Sequence, residues 1–200
     1  MPDMVRAAFR LRRRRLPRSL PDAGKREVDW RPMYENVTRE EVERRIAACH
    51  ESVRALYDHW RAKCGDRPMP ARKDLDPIDL KPYLPSIILV DVVPDARRFV
   101  YRLVGTKEVA ERGNDPTGKP VGEAFFAKTA EETLDIYGYV VRERRPFCFR
   151  DPYLAPDGQT EHEDIIYLPL SANGADVDMI LVFSYNYQFR SRLIGPSVLR

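Results

Sequence analysis

Three consecutive segments near the carboxyl end constrain the fold of this chain most. Residues 147–154, 160–170 and 177–187 are rich in β-branched and aromatic side chains, which favour strands. Short turns separate them, Pro156-Asp-Gly-Gln159 and Asn173-Gly-Ala-Asp176. Connections this short join antiparallel neighbours, because a parallel crossover needs a dozen or more residues. This part of the chain therefore predicts three consecutive antiparallel strands.

Two further strands are predicted earlier in the chain. Residues 86–93 and 99–104 are β-branched and apolar, and a proline-containing turn separates them as in a hairpin. Residues 106–112 fit one or two helical turns, and apolar residues at helical spacing predict a long helix from about Lys128 to Arg145. Two strands, helices and three strands form an α+β fold with a five-stranded antiparallel sheet.

A helix is also predicted before the first strand. Thr38-Arg-Glu-Glu41 has the pattern of a capping box, in which two side chains satisfy free amide groups at a helix start. Apolar residues follow at steps of three and four as far as Gly65, a plausible C-cap. They form one seam that needs a partner, and its members are Val42, Ile46, Cys49, Val53, Leu56 and Trp60.

Two partners for this seam are compatible with the spacing. Residues 87–93 and 179–183 are apolar at adjacent positions, so the sheet has apolar groups on both faces and both must be covered. The connecting helices can cover one face, and the helix starting at Thr38 can cover the other. The same seam could instead form the interface of a homodimer, so its six residues are candidate interface residues.

Charge is unevenly distributed along the chain. Residues 1–31 hold ten Lys or Arg against four Asp or Glu, whereas the whole chain carries only +3, which leaves the remainder at −3. This predicts a basic, disordered tail over residues 1–35, a domain over 36–188 and a short tail over 189–200. A slightly acidic body gives no indication of a nucleic-acid-binding face. Met33 offers an alternative start, which would leave residues 1–32 untranslated.

The hydropathy and the cysteine pattern of the chain limit the compartment in which the protein can reside and the cofactors that it can bind. No apolar run is long enough for a membrane span or a secretory signal. Cys49, Cys64 and Cys148 are odd in number and fit neither a disulfide framework nor metal-ligand spacing. The three histidines form no metal-binding pattern either. We therefore expect a cytoplasmic protein with free thiols and no metal.

Several motifs, together with the element order, resemble the PAS domain superfamily. They are Leu56-Tyr-Asp-His-Trp-Arg61 with Met69-Pro-Ala-Arg72, the loop Gly113-Asn-Asp-Pro-Thr-Gly118 after its short helix, and Pro169-Leu-Ser171 with Tyr185-Asn-Tyr187. The likeness covers roughly residues 50–188 and is closest to the PAS family of small stand-alone alphaproteobacterial proteins.

The resemblance implies a cavity between the sheet and the helix at 128–145, used to sense a ligand or to pair with partners. PAS domains that bind haem generally offer a histidine from a helix, and this helix has none. Flavin photoreceptors of the superfamily carry a cysteine in an Asn-Cys-Arg-Phe motif, which is absent here. We therefore expect no haem or flavin; the ligand is either an unidentified small metabolite or absent.

The expected function is a sensory and signalling module, not an enzyme, that transmits its state to a signalling partner protein or through a homodimer. Phenols can line an apolar cavity and orient a ligand, and arginine or asparagine at its mouth could hold a carboxylate. The candidate ligand-binding residues are Tyr101, Arg102, Arg112, Asn114, Tyr137, Tyr153, Tyr167 and Tyr185.

Two alternative functions remain open from the sequence. The first is an interaction adaptor whose core is filled and holds no ligand. The second is a thiol-dependent enzyme, which would need Cys148 and His162 within hydrogen-bonding distance. The sequence argues against the enzyme alternative. The residues His162, Glu163 and Asp164 fit a solvated strand end, with Glu163 on the opposite face from the other two.

Overall fold

The computed structural model describes residues 37–126, 129–154 and 160–186, without the side chains of residues 151–154 and 160–161. All of these residues belong to one compact unit, Arg31–Arg200. The predicted tails at residues 1–35 and 189–200 lie outside the described residues and stay predictions.

The helices and strands follow the predicted order, with one difference at the first helix. Short 3-10 turns at Arg72–Asp74 and Leu84–Ser86 precede the sheet. The elements are α1 (Arg39–Ala48), α2 (Glu51–Cys64), β1 (Ile87–Val92), β2 (Phe99–Val104), α3 (Thr106–Arg112), α4 (Ala130–Glu143), β3 (Phe147–Leu154), β4 (Thr160–Leu170) and β5 (Met179–Asn186).

The five strands form one antiparallel sheet in the order β2-β1-β5-β4-β3. The amino-terminal hairpin and the carboxyl-terminal three strands meet where β1 pairs with β5, with Ile88 opposite Val182. The predicted α+β class and five-stranded sheet are confirmed. The pairing of β1 with β5 brings together residues that are 88 to 96 positions apart in the chain.

Helices cover both faces of the sheet. Residues opposite each other in paired strands share a face, so Tyr167 and Val182 lie on one face, whereas Ile166 and Cys148 lie on the other. Helix α4 packs on the first, which we call the inner face, where the rings of Tyr137 and Tyr167 lie 5.5 Å apart. Helices α1 and α2 pack on the second, the outer face. The connecting helices and the amino-terminal helices thus cover opposite faces, as predicted.

The amino-terminal helix is two helices, which corrects the prediction of one continuous helix. Half of the predicted capping box forms, because the Thr38 hydroxyl accepts a hydrogen bond from the Glu41 amide, whereas the Glu41 carboxylate accepts one from Arg45 at 2.9 Å. At Cys49 and His50 the backbone is extended, and the imidazole of His50 caps α2 by accepting a hydrogen bond from the Ser52 amide. No glycine or proline marks this break, so the local sequence does not reveal it.

The seam packs within the chain. Its six residues are between 0% and 5% exposed, and the Trp60 indole nitrogen donates a hydrogen bond to the Pro169 carbonyl on the sheet. This is the intramolecular alternative considered above. An interface through α1 and α2 would therefore be formed by other side chains of these helices, and not by Val42, Ile46, Cys49, Val53, Leu56 and Trp60.

Candidate functional site

The inner face carries a buried acidic cluster between α3 and the sheet. The Ser184 hydroxyl donates a 2.8 Å hydrogen bond to the Glu108 carboxylate, and both residues are buried. Glu163 of β4 lies on the same face of the sheet, next to Ser184. Burial raises the pKa of Glu108, and burial together with the nearby carboxylates raises the pKa of Glu163 to about 7. Glu163 can therefore be protonated close to neutral pH, and burial favours the neutral form of Glu108 as well.

Arg112 at the end of α3 lies beside this cluster. Its side chain is only 9% exposed, and its guanidinium carbon lies 5.5 Å from the centre of the Tyr101 ring and 4.9 Å from that of Phe126. The nearest Glu108 oxygen is 3.9 Å from Nη2, too far for a hydrogen bond. Among the described residues, no acceptor hydrogen-bonds to its Nε or Nη1. Arg112 is thus a buried cation with unused donors.

Aromatic side chains form the apolar wall of the inner face. Tyr137 lies between Phe99 and Tyr167, with ring centres 5.3 and 5.5 Å away. Burial raises the pKa of Tyr137 well above its usual value, so this phenol stays neutral and can donate a hydrogen bond. The wall thus combines apolar ring surface with a buried hydroxyl group.

Four of the eight predicted ligand-binding residues meet here, namely Tyr101, Arg112, Tyr137 and Tyr167. Three others lie elsewhere. Arg102 is 64% exposed and pairs with Asp91 at 3.5 Å, and Asn114 is exposed in the loop after α3. Tyr185 lies on the outer face, stacked on His50 at 3.5 Å, because it is paired with Asp164 in the sheet. The Tyr153 side chain is outside the described residues.

Glu108, Glu163 and Ser184 were missed by the sequence reasoning. Strand alternation does place Glu163 on the face opposite Asp164, as predicted, and that face is the inner one. Glu108 had no comparable signal, because a seven-residue helix is too short for its charged residues to show a buried side.

Asp164 forms a second polar site, on the outer face at the junction of α1 and α2. It is fully buried and accepts hydrogen bonds from Arg150, at 2.7 and 3.2 Å, and from the His50 amide at 2.6 Å. The prediction of a solvated strand end is wrong for Asp164, because these tertiary contacts enclose it. It holds only for His162, which is exposed.

The thiol–histidine pair that the enzyme alternative requires is not formed. Cys148 is fully buried opposite Ile166, and His162 is four positions further along β4, about 13 Å away at ~3.3 Å per residue. Cys148 instead lies beside Cys49, with 3.0 Å between the two sulfur atoms. The thiol-dependent alternative in the form stated above therefore has no geometric support.

Two pockets lie near the amino-terminal helices. One, of about 260 Å³, is lined by Arg45, Ala48, Cys49, Phe149, Arg150 and Asp164. The other, of about 230 Å³, lies between the amino-terminal helices and the end of α4, and Tyr57, Trp60 and Arg145 help line it. Neither lies among the Tyr101, Tyr137 and Tyr167 rings of the inner face.

Residues 37–126, 129–154 and 160–186 contain neither a metal-binding cluster nor a membrane-spanning helix. In those residues, no group of three or more His, Cys, Asp or Glu side chains is arranged to hold a metal ion. None of the helices within them is long and apolar enough to cross a bilayer.

Comparison with models of known protein families shows to which family the chain belongs. The family model described as PAS domain matches residues 48–183, more than half of the chain. The chain belongs to the PAS domain family. PAS domains are generally sensory and signalling modules and mediate protein interactions. The comparison with curated proteins gives no match.

Several solved structures are distantly similar to this PAS domain. The PAS domain of Bordetella pertussis BvgS is 15% identical, with a TM-score of 0.41 over 58% of this chain and 87% of that one. The PAS domain of an HTR-like protein from Haloarcula marismortui is 22% identical, with a TM-score of 0.32 over 50% and 79%. The LOV domain of the Erythrobacter litoralis EL346 blue-light-activated histidine kinase is 12% identical, with a TM-score of 0.38 over 53% and 96%. These likenesses are too distant to carry information about function.

Proposed function

We propose that this PAS domain is a cytoplasmic, non-enzymatic sensory module that binds a small carboxylate-bearing ligand on its inner face and passes its state to a partner protein. The observation that carries the proposal is the Arg112 side chain, which is buried yet leaves Nε and Nη1 without acceptors among the described residues.

A carboxylate is the ligand group that best matches Arg112. An unsatisfied buried donor costs roughly 1–3 kcal/mol, and Arg112 has two such donors, Nε and Nη1, with the nearest carboxylate oxygen 3.9 Å from Nη2. Hydrogen bonds from guanidinium to carboxylate are among the strongest in proteins. A ligand carboxylate would therefore accept hydrogen bonds from these unsatisfied donors and stabilise the liganded protein relative to the unliganded one.

Glu108 does not already fulfil this role. Its carboxylate is 3.9 Å from Arg112, and it accepts a hydrogen bond from Ser184. Burial raises the pKa of Glu108, which favours its neutral form and weakens its attraction for the guanidinium. A protonated Glu108 or Glu163 could donate a hydrogen bond to a second oxygen of the ligand.

The surroundings indicate the rest of the ligand. Tyr101 and Phe126 flank the guanidinium, and Phe126 is 57% exposed, so its movement would open a path from solvent. Tyr137 and Tyr167 offer ring surface to an apolar body. A small aromatic or branched acid combines these properties.

An interaction adaptor is the second candidate, and the packing of the inner face favours it. Tyr137 is buried in contact with Phe99 and Tyr167, so aromatic rings already occupy the centre of this face. In that case the domain would act through contact with a signalling protein or a second copy of itself, and no ligand would be required.

Native mass spectrometry of the purified protein, combined with thermal shift assays, tests the two candidates. The probes are acetate, succinate and benzoate, and the variants are Arg112→Met and its matched control Arg102→Met, an exposed arginine outside the cluster. We expect a bound small acid, or stabilisation by benzoate, in the wild type and in Arg102→Met but not in Arg112→Met.

The same two measurements can also contradict the ligand proposal. A folded wild type without a bound mass, and without a shift from any probe, would contradict the ligand proposal and favour the adaptor. The mass of the intact assembly reports at the same time whether the protein is a homodimer.

A further inference from the structure

Two cysteines that are far apart in the chain meet on the outer face. Cys49 directly follows α1, at its junction with α2, and Cys148 lies in β3. Their sulfur atoms are 3.0 Å apart, and both thiols are free. We propose that Cys49 and Cys148 form a modification site, which a hydroperoxide oxidises to an intramolecular disulfide that joins the α1–α2 junction to β3. This proposal does not depend on the ligand proposed for the inner face.

The two thiols differ in access. Cys49 lines the pocket of about 260 Å³ near the α1–α2 junction, next to Arg45 and Arg150. Cys148 is fully buried behind it. A small hydroperoxide entering this pocket meets Cys49 first, so Cys49 is the attacking thiol and Cys148 is the resolving thiol.

The local charges favour the same roles. A hydrogen bond from the Cys148 thiol lowers the pKa of Cys49, and the nearby charges of Arg150 and Arg54 act in the same direction, against burial and Asp164. The same hydrogen bond and burial raise the pKa of Cys148. Since the thiolate is the reactive form, Cys49 is the better nucleophile.

The reaction balances with one hydroperoxide. The Cys49 thiolate attacks the terminal peroxide oxygen, the O–O bond breaks, and the leaving alkoxide takes up a proton to become an alcohol, or water when the oxidant is hydrogen peroxide. Cys49 is then a sulfenic acid. The sulfur of Cys148 attacks that of Cys49, the S–O bond breaks, and the leaving hydroxide combines with the Cys148 proton as water. Two thiols lose two electrons, which the hydroperoxide accepts.

The backbone around Cys49 is compatible with this bond. Forming a disulfide of ~2.05 Å requires the sulfur atoms to approach by about 1 Å. Cys49 follows the last residue of α1 and has an extended conformation, with φ −76° and ψ 169°, so a small shift does not break a helix interior. The junction is otherwise held by Arg54, which donates to the Cys49 carbonyl at 2.8 Å, and by Asp164.

Treatment of the full chain with hydrogen peroxide tests the proposal. We expect the intact mass to fall by two hydrogens, a non-reducing digest to contain a peptide linking Cys49 to Cys148, and dithiothreitol to reverse both changes. We also expect Tm to rise by about 4–15 °C, because the bond closes a long loop.

Cysteine variants separate this site from general thiol oxidation. Cys64→Ser is the matched control, since Cys64 is also buried but lies near the Trp60 and Pro68 carbonyls. It should form the disulfide at the wild-type rate, whereas Cys49→Ser and Cys148→Ser should not form it.

Three results would overturn the inference. They are a wild type that gains only oxygen, a disulfide that involves Cys64, and a disulfide that links two chains. The peptide map of the wild type decides among these without any variant, so the test remains valid even if a substitution impairs folding.

Discussion

Glu163 provides the most direct test of the buried acidic cluster. The change is Glu163→Gln, which keeps the shape and the hydrogen-bonding capacity of the side chain but cannot ionise. Burial raises the pKa of Glu163 from 4.5 to about 7 in the folded protein. The folded state therefore binds more protons than the unfolded state between these two values.

The sign of the pH dependence follows from this difference. A state that holds extra protons is favoured at low pH, so the wild type should lose stability as pH rises from about 4.5 to about 7. Below this range both states are protonated at Glu163, and above it the full cost of a buried carboxylate is present. Glu108 has a raised pKa for the same reason, so part of the pH dependence should remain in the variant.

The magnitude is on the order of 1–3 kcal/mol. Each pKa unit corresponds to ~1.4 kcal/mol, and we reduce the full value because the Glu163 side chain keeps some access to solvent. At about pH 8 the variant should be more stable than the wild type by this amount, and at about pH 4, below both pKa values, the two should be nearly equal.

Urea unfolding at these two pH values, followed by tryptophan fluorescence, measures the effect because Trp60 is buried. Glu43→Gln is the control, since Glu43 is exposed on α1 and lies outside the cluster. If Glu163→Gln unfolded with the same pH dependence as the wild type, or were the less stable protein at high pH, the buried cluster would be refuted.

Two further predictions concern stability, and each has its own control. Asp164→Ala should cost about 2–4 kcal/mol in urea unfolding, because Arg150 and a buried amide lose their acceptor, whereas Asp79→Ala removes an exposed ion pair and should cost less than ~1 kcal/mol. Equal costs would contradict the role of Asp164 at the helix junction. Gly105→Ala should prevent folding or lower expression severely, because its Cβ would overlap the Leu84 and Pro85 carbonyls. Gly113→Ala, at a helix end with φ +75° and open space, should cost only about 1 kcal/mol, and a milder effect at Gly105 than at Gly113 would contradict the packing.

Most strands and helices were predictable because their signals are local. Phe99–Val104, Phe147–Leu154 and Thr160–Leu170 have the predicted bounds, and β5 differs at its start by two residues. Side-chain alternation places Glu163 opposite Asp164 without any knowledge of the fold. The sheet class follows from the short turns, since these allow only antiparallel neighbours.

The candidate site was only half predictable. The phenols and Arg112 belong to elements whose position a PAS-like order implies, and four of the eight residues meet on the inner face. Arg102 and Tyr185 were misplaced because the sequence does not show which face of a doubly apolar sheet is which. That assignment depends on helix packing, which brings Tyr185 against His50.

The order of elements, the antiparallel sheet and the need to cover both its faces were determined by the sequence itself, because turns, caps and alternation act over a few residues. Tertiary structure alone decided the break between α1 and α2, the burial of Asp164 and the meeting of Cys49 with Cys148. These features depend on contacts between residues about 100 positions apart, and such contacts leave no periodic or local trace in the chain.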